Sequence, residues 1–149
     1  MPFPDPITDA QFYDGVRGRR VAAFAVDLMI ILILLGGVAM IGLVIGFLTL
    51  GLGLAFIIPA FALTGILYRA TMLSERSATL GMMLMGIELR DVTGERINTP
   101  TAVMHSAAFT AATYLTPVLL ASLAWALMNP RGQMLHDALC GTVMINRPE

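Results

Sequence analysis

Asp27 is the first residue whose surroundings suggest chemistry, because it lies inside a long apolar run with Arg20 seven residues before it. In a helix seven residues are almost two turns, so the two side chains would share one face about 10 Å apart along the axis. A carboxylate among apolar residues needs a partner or a proton. Asp27 therefore either holds helices together through an internal hydrogen bond or ion pair, acts as a protonatable site or cation ligand, or faces a partner subunit.

A second polar cluster lies near the C-terminus, in the stretch NPRGQMLHDALCGTVMI. Asp137 could pair with Arg131 or Arg20, cap a strand or bind an ion, and structural pairing is the favoured interpretation. His136 would need two or three further ligands to hold a metal. His105 could be one of them, but its spacing does not require it. No metal or cofactor site is predicted.

The composition indicates an integral membrane protein. Of 149 residues 57% are hydrophobic and 13% are charged, and the mean hydropathy is +0.79, whereas soluble domains are about half apolar and about one quarter charged. The net charge of −1 and the lack of a basic stripe argue against nucleic-acid binding. The sequence has no nucleophile elbow, phosphate-binding loop, dinucleotide motif or paired-cysteine motif, so we do not expect an enzyme.

The apolar segments set the expected helices. Residues 1–19 form a polar arm with a short interfacial helix around Asp9 to Val16, and no cleaved signal peptide is expected there. The apolar run over 21–67 exceeds the roughly 20 residues that one span needs. It predicts two helices, at about 20–46 and 52–69, joined by a glycine-rich turn.

The apolar region at 101–128 has two interpretations. It is long for one span and short for two, and Pro117 lies in its middle. The favoured interpretation is a two-helix hairpin that turns near Thr116 and Pro117. The competing interpretation is one kinked span, since proline is tolerated in membrane helices.

A small β-element is expected outside the membrane. Residues 85–98 predict a hairpin in which Ile87, Leu89 and Val92 alternate with polar residues around the turn signal of Thr93 and Gly94. A further strand is predicted at about 141–146, paired with this hairpin. Because arginines flank the apolar helices on one side only, the positive-inside rule places the N-terminus, the hairpin and the tail in the cytoplasm.

Three stretches occur in a characteristic order: RRVAAFAVDLMIILIL, SATLGMMLMGIELRDVTGERIN and NPRGQMLHDALCGTVMI. Together they resemble the RDD family of small bacterial membrane proteins, over roughly residues 16–146. The resemblance implies that Arg20, Asp27 and Asp137 are the arginine and the two aspartates after which the family is named.

The chain also departs from that family pattern. The family usually has Lys where this sequence has Met82, and often has Arg where it has Thr101 and His105. Most members have no assigned activity. Some look like cation/proton antiporters or are proposed to transport small solutes, and others occur beside larger membrane systems.

We predict a small all-α membrane bundle of three to four transmembrane segments, with a little cytoplasmic β-structure, spanning residues 20–146 in the bacterial inner membrane. Arg20, Asp27 and Asp137 are expected to form one charge cluster at the inner interface.

The favoured function is an accessory or assembly subunit of a larger membrane complex, with the lipid bilayer and a protein or a second copy as partners. Gly42 and Gly46, four residues apart, suggest close helix contact. The alternative is an oligomeric monovalent cation/proton antiporter, or a small-solute transporter, that uses Asp27.

Overall fold

The computed structural model describes residues 4–5, 7–91 and 93–148, whose regular structure consists of helices and one small sheet. The predictions for Val92 and for residues 1–3 and 6 of the polar arm lie outside the described residues. The α-helices are α1 (Val16–Leu48), α2 (Ile57–Arg76), α3 (Leu80–Leu84), α4 (Thr99–Tyr114), α5 (Thr116–Met128) and α6 (Leu135–Leu139), and the strands are β1 (Ile87–Asp91) and β2 (Thr142–Asn146). Two short 3₁₀ helices, Ala10–Phe12 and Leu52–Phe56, precede α1 and α2.

α1 and α2 form a long antiparallel pair. Both are long and apolar enough to cross a membrane. The 33 residues of α1 correspond to about 50 Å, more than the roughly 30 Å of a hydrocarbon core, so the helix extends beyond the apolar layer. α2 runs on to Arg76, beyond the predicted end at 69, because the polar residues that follow 69 continue the helix at the end where the polar contacts of the fold lie.

Glycines allow α1 to meet the chain that follows it. A Cβ on Gly42 would lie 2.6 Å from Cγ1 of Ile57, and one on Gly46 would lie 2.5 Å from Cδ2 of Leu54. Gly51, with a φ of 96°, completes the turn between the two helices, a conformation that glycine adopts at little cost. The glycine pair noted in the sequence thus serves packing within the chain.

α4 and α5 are separate helices that meet at Leu115 with a bend of 113°. Asn98 caps α4 by accepting a hydrogen bond from the Thr101 amide at 2.9 Å, and Pro117 lies in the first turn of α5, where its missing N–H costs nothing. The far end of α5 returns to the beginning of α1, where Arg17 donates to the Asn129 carbonyl at 3.0 Å. The region at 101–128 thus forms two helices with a sharp bend between them.

The sheet is antiparallel and joins the middle of the chain to its last strand. Ile87 lies opposite Asn146, and Asp91 lies opposite Thr142. The predicted hairpin at 85–98 is wrong in its second arm, since an isolated bridge between Arg90 and Arg96 is its only other pairing in the described residues. The edge of β1 that faces away from β2 is bonded to Ser77 instead. The Leu89 amide donates to the Ser77 carbonyl at 2.8 Å.

The buried core lies at the end of the helices that carries the sheet. Its apolar side chains come from the beginning of α1, the end of α2, α3, α4 and both strands: Val16, Ala23, Leu73, Ala78, Met82, Ile87, Leu89, Ile97, Ala102 and Met144. By contrast, none of the most apolar 18-residue stretch of α1 is buried. Such an exposed apolar surface is suited to lipid, and the predicted fold class, a helical membrane protein with a small β-element, is confirmed.

Candidate functional site

Asp27 lies on α1 in a pocket that satisfies its carboxylate from within the chain. It is 1% exposed. The hydroxyl of Tyr68 on α2 donates to Oδ1 at 2.8 Å, the backbone N–H of Gly81 donates to Oδ1 at 2.9 Å, and the hydroxyl of Thr79 donates to Oδ2 at 2.6 Å. Three hydrogen bonds to one buried carboxylate hold α1, α2 and α3 together.

The short segment Thr79-Leu80-Gly81 explains how α3 reaches this carboxylate. Thr79 is the N-cap of α3 and accepts from the Met82 amide at 3.3 Å. A Cβ on Gly81 would clash with the carbonyl oxygen of Ala23 on α1. Only glycine therefore permits α3 to approach α1 closely enough for its amide to bond Asp27.

Asp137 occupies the second site, where α1, α4 and α6 meet. It is 0% exposed. Its Oδ2 accepts from Nη2 of Arg20 at 2.5 Å and from the Met134 amide at 2.9 Å. Its Oδ1 lies 2.8 Å from Nε2 of His105 and 3.3 Å from Nε2 of His136. A single carboxylate thereby joins three helices.

Local structure fixes the direction of this carboxylate. Asp137 is the third residue of α6 and reaches back to the amide of Met134, the residue that caps the helix. α6 is attached to α5 through the amide of Leu135, which donates to Oγ of Ser122 at 3.0 Å. Arg20 also donates to the Gly132 carbonyl at 3.3 Å, so α1 holds both α6 and the loop that precedes it.

The electrostatics of the site favour an ionised Asp137 beside a neutral His136. Burial raises the pKa of Asp137, but the Arg20 guanidinium and the hydrogen bond with His105 outweigh it and hold that pKa well below its usual range. Burial lowers the pKa of His136 to about 3, because the attraction of Asp137 offsets it only in part. Neutral imidazole is the form that binds metals, and one donor atom each from His105, His136 and Asp137 lies within 4.8 Å of the other two.

The prediction of one cluster containing Arg20, Asp27 and Asp137 is wrong. Arg20 pairs with Asp137, whereas Asp27 is bonded by Tyr68, Thr79 and Gly81. Two helical turns separate Arg20 from Asp27, and the arginine side chain extends sideways to α6 rather than along its own helix.

The secondary candidates lie in different places, and only the two histidines belong to the Asp137 site. His105 and His136 both join the Asp137 site, with their rings packed edge to face and 5.0 Å between centroids. Arg131 interacts with the Tyr13 hydroxyl, and its amide donates to the side chain of Asn129 at 2.9 Å.

Sequence reasoning missed the partners of Asp27 and the position of Arg69. Tyr68 follows an apolar run and carries no local signal of a polar contact. Arg69 is 7% exposed, and its guanidinium lies 4.1 Å from the ring centroid of Phe109 on α4, a cation–π contact. It is close enough to interact electrostatically with Asp27.

The model of the RDD family matches residues 15–141, which include both aspartate sites. The chain belongs to the RDD family. In this RDD protein Arg20 and Asp137 form a direct ion pair. Asp27 belongs to a separate site, where it accepts from Thr79, 52 positions further along the chain. Comparisons with curated proteins and with solved structures found no match.

Proposed function

We infer that this RDD protein is an accessory or assembly subunit of a larger complex in the bacterial inner membrane, without enzymatic activity. The observation that carries the proposal is the break between α4 and α5. α4 has 16 residues, about 24 Å of helix, so its far end falls short of the roughly 30 Å hydrocarbon layer. A helix that begins near one interface and ends short of the other leaves its last carbonyl groups inside the membrane.

The break at that depth needs a protein cover. Helix ends leave N–H and C=O groups without helical partners, and α5 has no side-chain cap at its N-terminus. Leu115 at the break is 56% exposed and Tyr114 is 75% exposed. Non-helical backbone within the hydrocarbon is tolerated where protein covers it or where it lines a water-filled cavity. A partner seated on the α4–α5 tip would supply that cover.

Open glycines on the spanning helices support the same proposal. Gly36 and Gly37 on α1 and Gly65 on α2 have no atom within 4 Å of an added Cβ, unlike the glycines at 42 and 46. Small residues allow close approach of helices in membranes. These positions therefore offer a partner helix a surface that the chain itself does not use.

The bonding of Asp27 weighs against the transport alternative. A carboxylate that exchanges a cation or a proton must exchange partners in the cycle, but the three donors on Asp27 are parts of the folded core. Releasing it would require α3 to move away from α1. Asp137 is likewise held by a buried ion pair that belongs to the folded core.

The arginines support an orientation with the sheet in the cytoplasm. All nine basic residues of the chain lie at the end of the helices that carries the sheet: Arg17, Arg19, Arg20, Arg69, Arg76, Arg90, Arg96, Arg131 and Arg147. Basic residues near the ends of spans are retained on the cytoplasmic side. The N-terminus and the tail strand would then face the same compartment.

The test combines native electrophoresis with cross-linking at the break. A tagged chain is solubilised from its own membrane in mild detergent, and the proteins that migrate with it are identified by mass spectrometry. On a Cys140→Ser background, Leu115→Cys is compared with Leu84→Cys, which is 70% exposed on α3 at the opposite end. We expect stoichiometric co-migration with another protein and a cross-link from position 115 but not from 84.

Two other results would oppose the proposal. Migration as a monomer, with no cross-link from 115, would show that no partner covers the break between α4 and α5. Migration as a homo-oligomer alone would favour transport, and proteoliposome flux with Asp27→Asn would then decide whether that carboxylate carries the ion.

A further inference from the structure

We propose that His105, His136 and Asp137 form a binding site for a divalent first-row transition-metal ion, with Zn²⁺ as the first candidate. The two histidines are the only ones in the chain. They come from α4 and α6, 31 positions apart, yet both present Nε2 to the same oxygen, Oδ1 of Asp137. Neither the family relationship nor the subunit role proposed above requires this convergence.

The distances suit a shared ion. Zn²⁺ binds imidazole nitrogen and carboxylate oxygen at about 2.0–2.2 Å, so two ligands at a tetrahedral angle are about 3.4 Å apart. The Oδ1 atom lies 2.8 Å from Nε2 of His105 and 3.3 Å from Nε2 of His136. Donor atoms from all three residues lie within 4.8 Å of one another, so binding one ion would require the two imidazoles to move closer together.

The unpartnered ring nitrogens point to a ligand. Both nitrogens of His136 and the Nδ1 of His105 are buried and have no hydrogen-bond partner among the described residues, while the two histidines are each 3% exposed. Leaving buried polar groups unpaired is costly. A metal on Nε2 of His136 would give that nitrogen a partner.

Proton placement is consistent with metal binding. Each imidazole must offer an unprotonated Nε2, so its remaining proton lies on Nδ1. For His105 this tautomer removes the hydrogen bond between Nε2 and Asp137. In its place, Nε2 and the Asp137 oxygen would each bind the same ion. The Nδ1 atoms have room to carry the protons, since no described group donates to them.

The other carboxylate oxygen is already engaged, which fixes how Asp137 would bind. Arg20 and the Met134 amide occupy Oδ2, so Asp137 would be a monodentate ligand whose orientation is held by outer hydrogen bonds, as is usual at metal sites. The positive charges of Arg20 and Arg69 oppose a cation. We therefore expect weaker binding than at a site whose carboxylate is not paired.

The donor set selects the class of metal. Two imidazoles and one carboxylate suit Zn²⁺, Fe²⁺, Co²⁺ or Ni²⁺, whereas Ca²⁺ and Mg²⁺ prefer oxygen ligands throughout. Three protein ligands leave a fourth position for water or a small ligand. An approach adjoins the cluster, because Arg20, Phe109 and Met134 also line a mainly apolar cavity of about 460 Å³ between α1, α4 and α5.

The first experiment needs no variant. The full chain, carrying a tag without histidine, is purified in detergent, stripped with a chelator and titrated with Co²⁺ and then Zn²⁺. We expect one ion per chain, visible d–d bands of Co²⁺ that Zn²⁺ displaces, and X-ray absorption of the Zn²⁺ form showing two imidazole ligands. A folded chain that binds less than about one ion per ten chains in metal excess, or an absorption spectrum without imidazole scattering, would overturn the proposal.

Variants then assign the ligands. His105→Gln and His136→Gln should each weaken binding more than about 100-fold, because loss of a ligand exceeds the 10–100-fold cost of losing its outer partners. Cys140→Ser is the matched control, since it removes the only thiol next to α6 without touching a proposed ligand, and its affinity should match the wild type. Binding that persists in the folded double histidine variant would refute the assignment.

Discussion

Gly81→Ala is expected to be among the most damaging small substitutions in this RDD protein. The added Cβ would clash with the carbonyl oxygen of Ala23 and lie 2.9 Å from Oδ1 of Asp27. Backbone atoms of α1 cannot move aside as the end of a flexible side chain can, so α3 must shift away. Overpacking costs about 1–3 kcal/mol, and loss of the amide bond to the carboxylate costs about 1.5–3 kcal/mol more. The free energy of unfolding should therefore fall by about 2.5–6 kcal/mol.

The assay is reversible unfolding in mixed micelles of mild detergent and dodecyl sulfate, followed by far-ultraviolet circular dichroism. Gly65→Ala on α2 is the matched control, because its added Cβ meets no atom within 4 Å. Removal of a helical glycine should leave its stability unchanged or raise it by up to about 1 kcal/mol. If Gly81→Ala and Gly65→Ala agree within about 0.5 kcal/mol, the close approach of α3 to α1 is not as we describe it.

Three further predictions concern the two aspartates and the thiol. Asp27→Asn keeps the shape of the side chain but replaces one accepting oxygen by an NH₂ group that cannot accept the bonds made there, so it should lower the free energy of unfolding by about 1–3 kcal/mol in the same assay; no measurable change would mean that these bonds do not stabilise the fold. Arg20→Gln and Asp137→Asn each leave a buried charge without its partner and should each cost about 3–5 kcal/mol, whereas the double variant should cost clearly less than both together; additive losses would contradict a direct pair. Burial and the nearby Asp137 raise the pKa of the Cys140 thiol above the ordinary value of 9.0, so the rate of alkylation in detergent should reach half of its maximum only above pH 9; a half-maximal rate at or below pH 9 would show that the pKa is not raised.

Features set by local sequence were predictable. The lengths of the apolar runs predicted α1 and α2, since the thickness of a bilayer sets how many residues a span needs. The break at Leu115 lies within two residues of the predicted turn at Thr116 and Pro117, because proline is favoured in the first turn of a helix. The charged pair of Arg20 and Asp137 was among the pairings that the sequence allowed, and the structure selects it.

Features that depend on distant partners were not predictable. α3 has five residues, too few for a helical period to be visible in the sequence. The hydrogen bonds that this segment donates to Asp27 could therefore not be predicted. The second arm of the predicted hairpin failed for a similar reason. Its turn formed, with the Asp91 carboxylate accepting from the amides of Thr93 and Glu95 at 2.8 and 3.0 Å, but Ser77 occupies the edge of β1 that the arm would have used.

The link between Arg20 and Asp137 has a consequence for biogenesis. The two residues are 117 positions apart, and β2 cannot pair with β1 until residue 146 has been synthesised. α1 and α2 therefore enter the bilayer while Arg20 still lacks its carboxylate, and closing so long a loop carries an entropic cost that only the final contacts repay. A chain truncated before Asp137 would therefore keep its two long apolar helices but lack the carboxylate that pairs with Arg20 and the strand that pairs with β1.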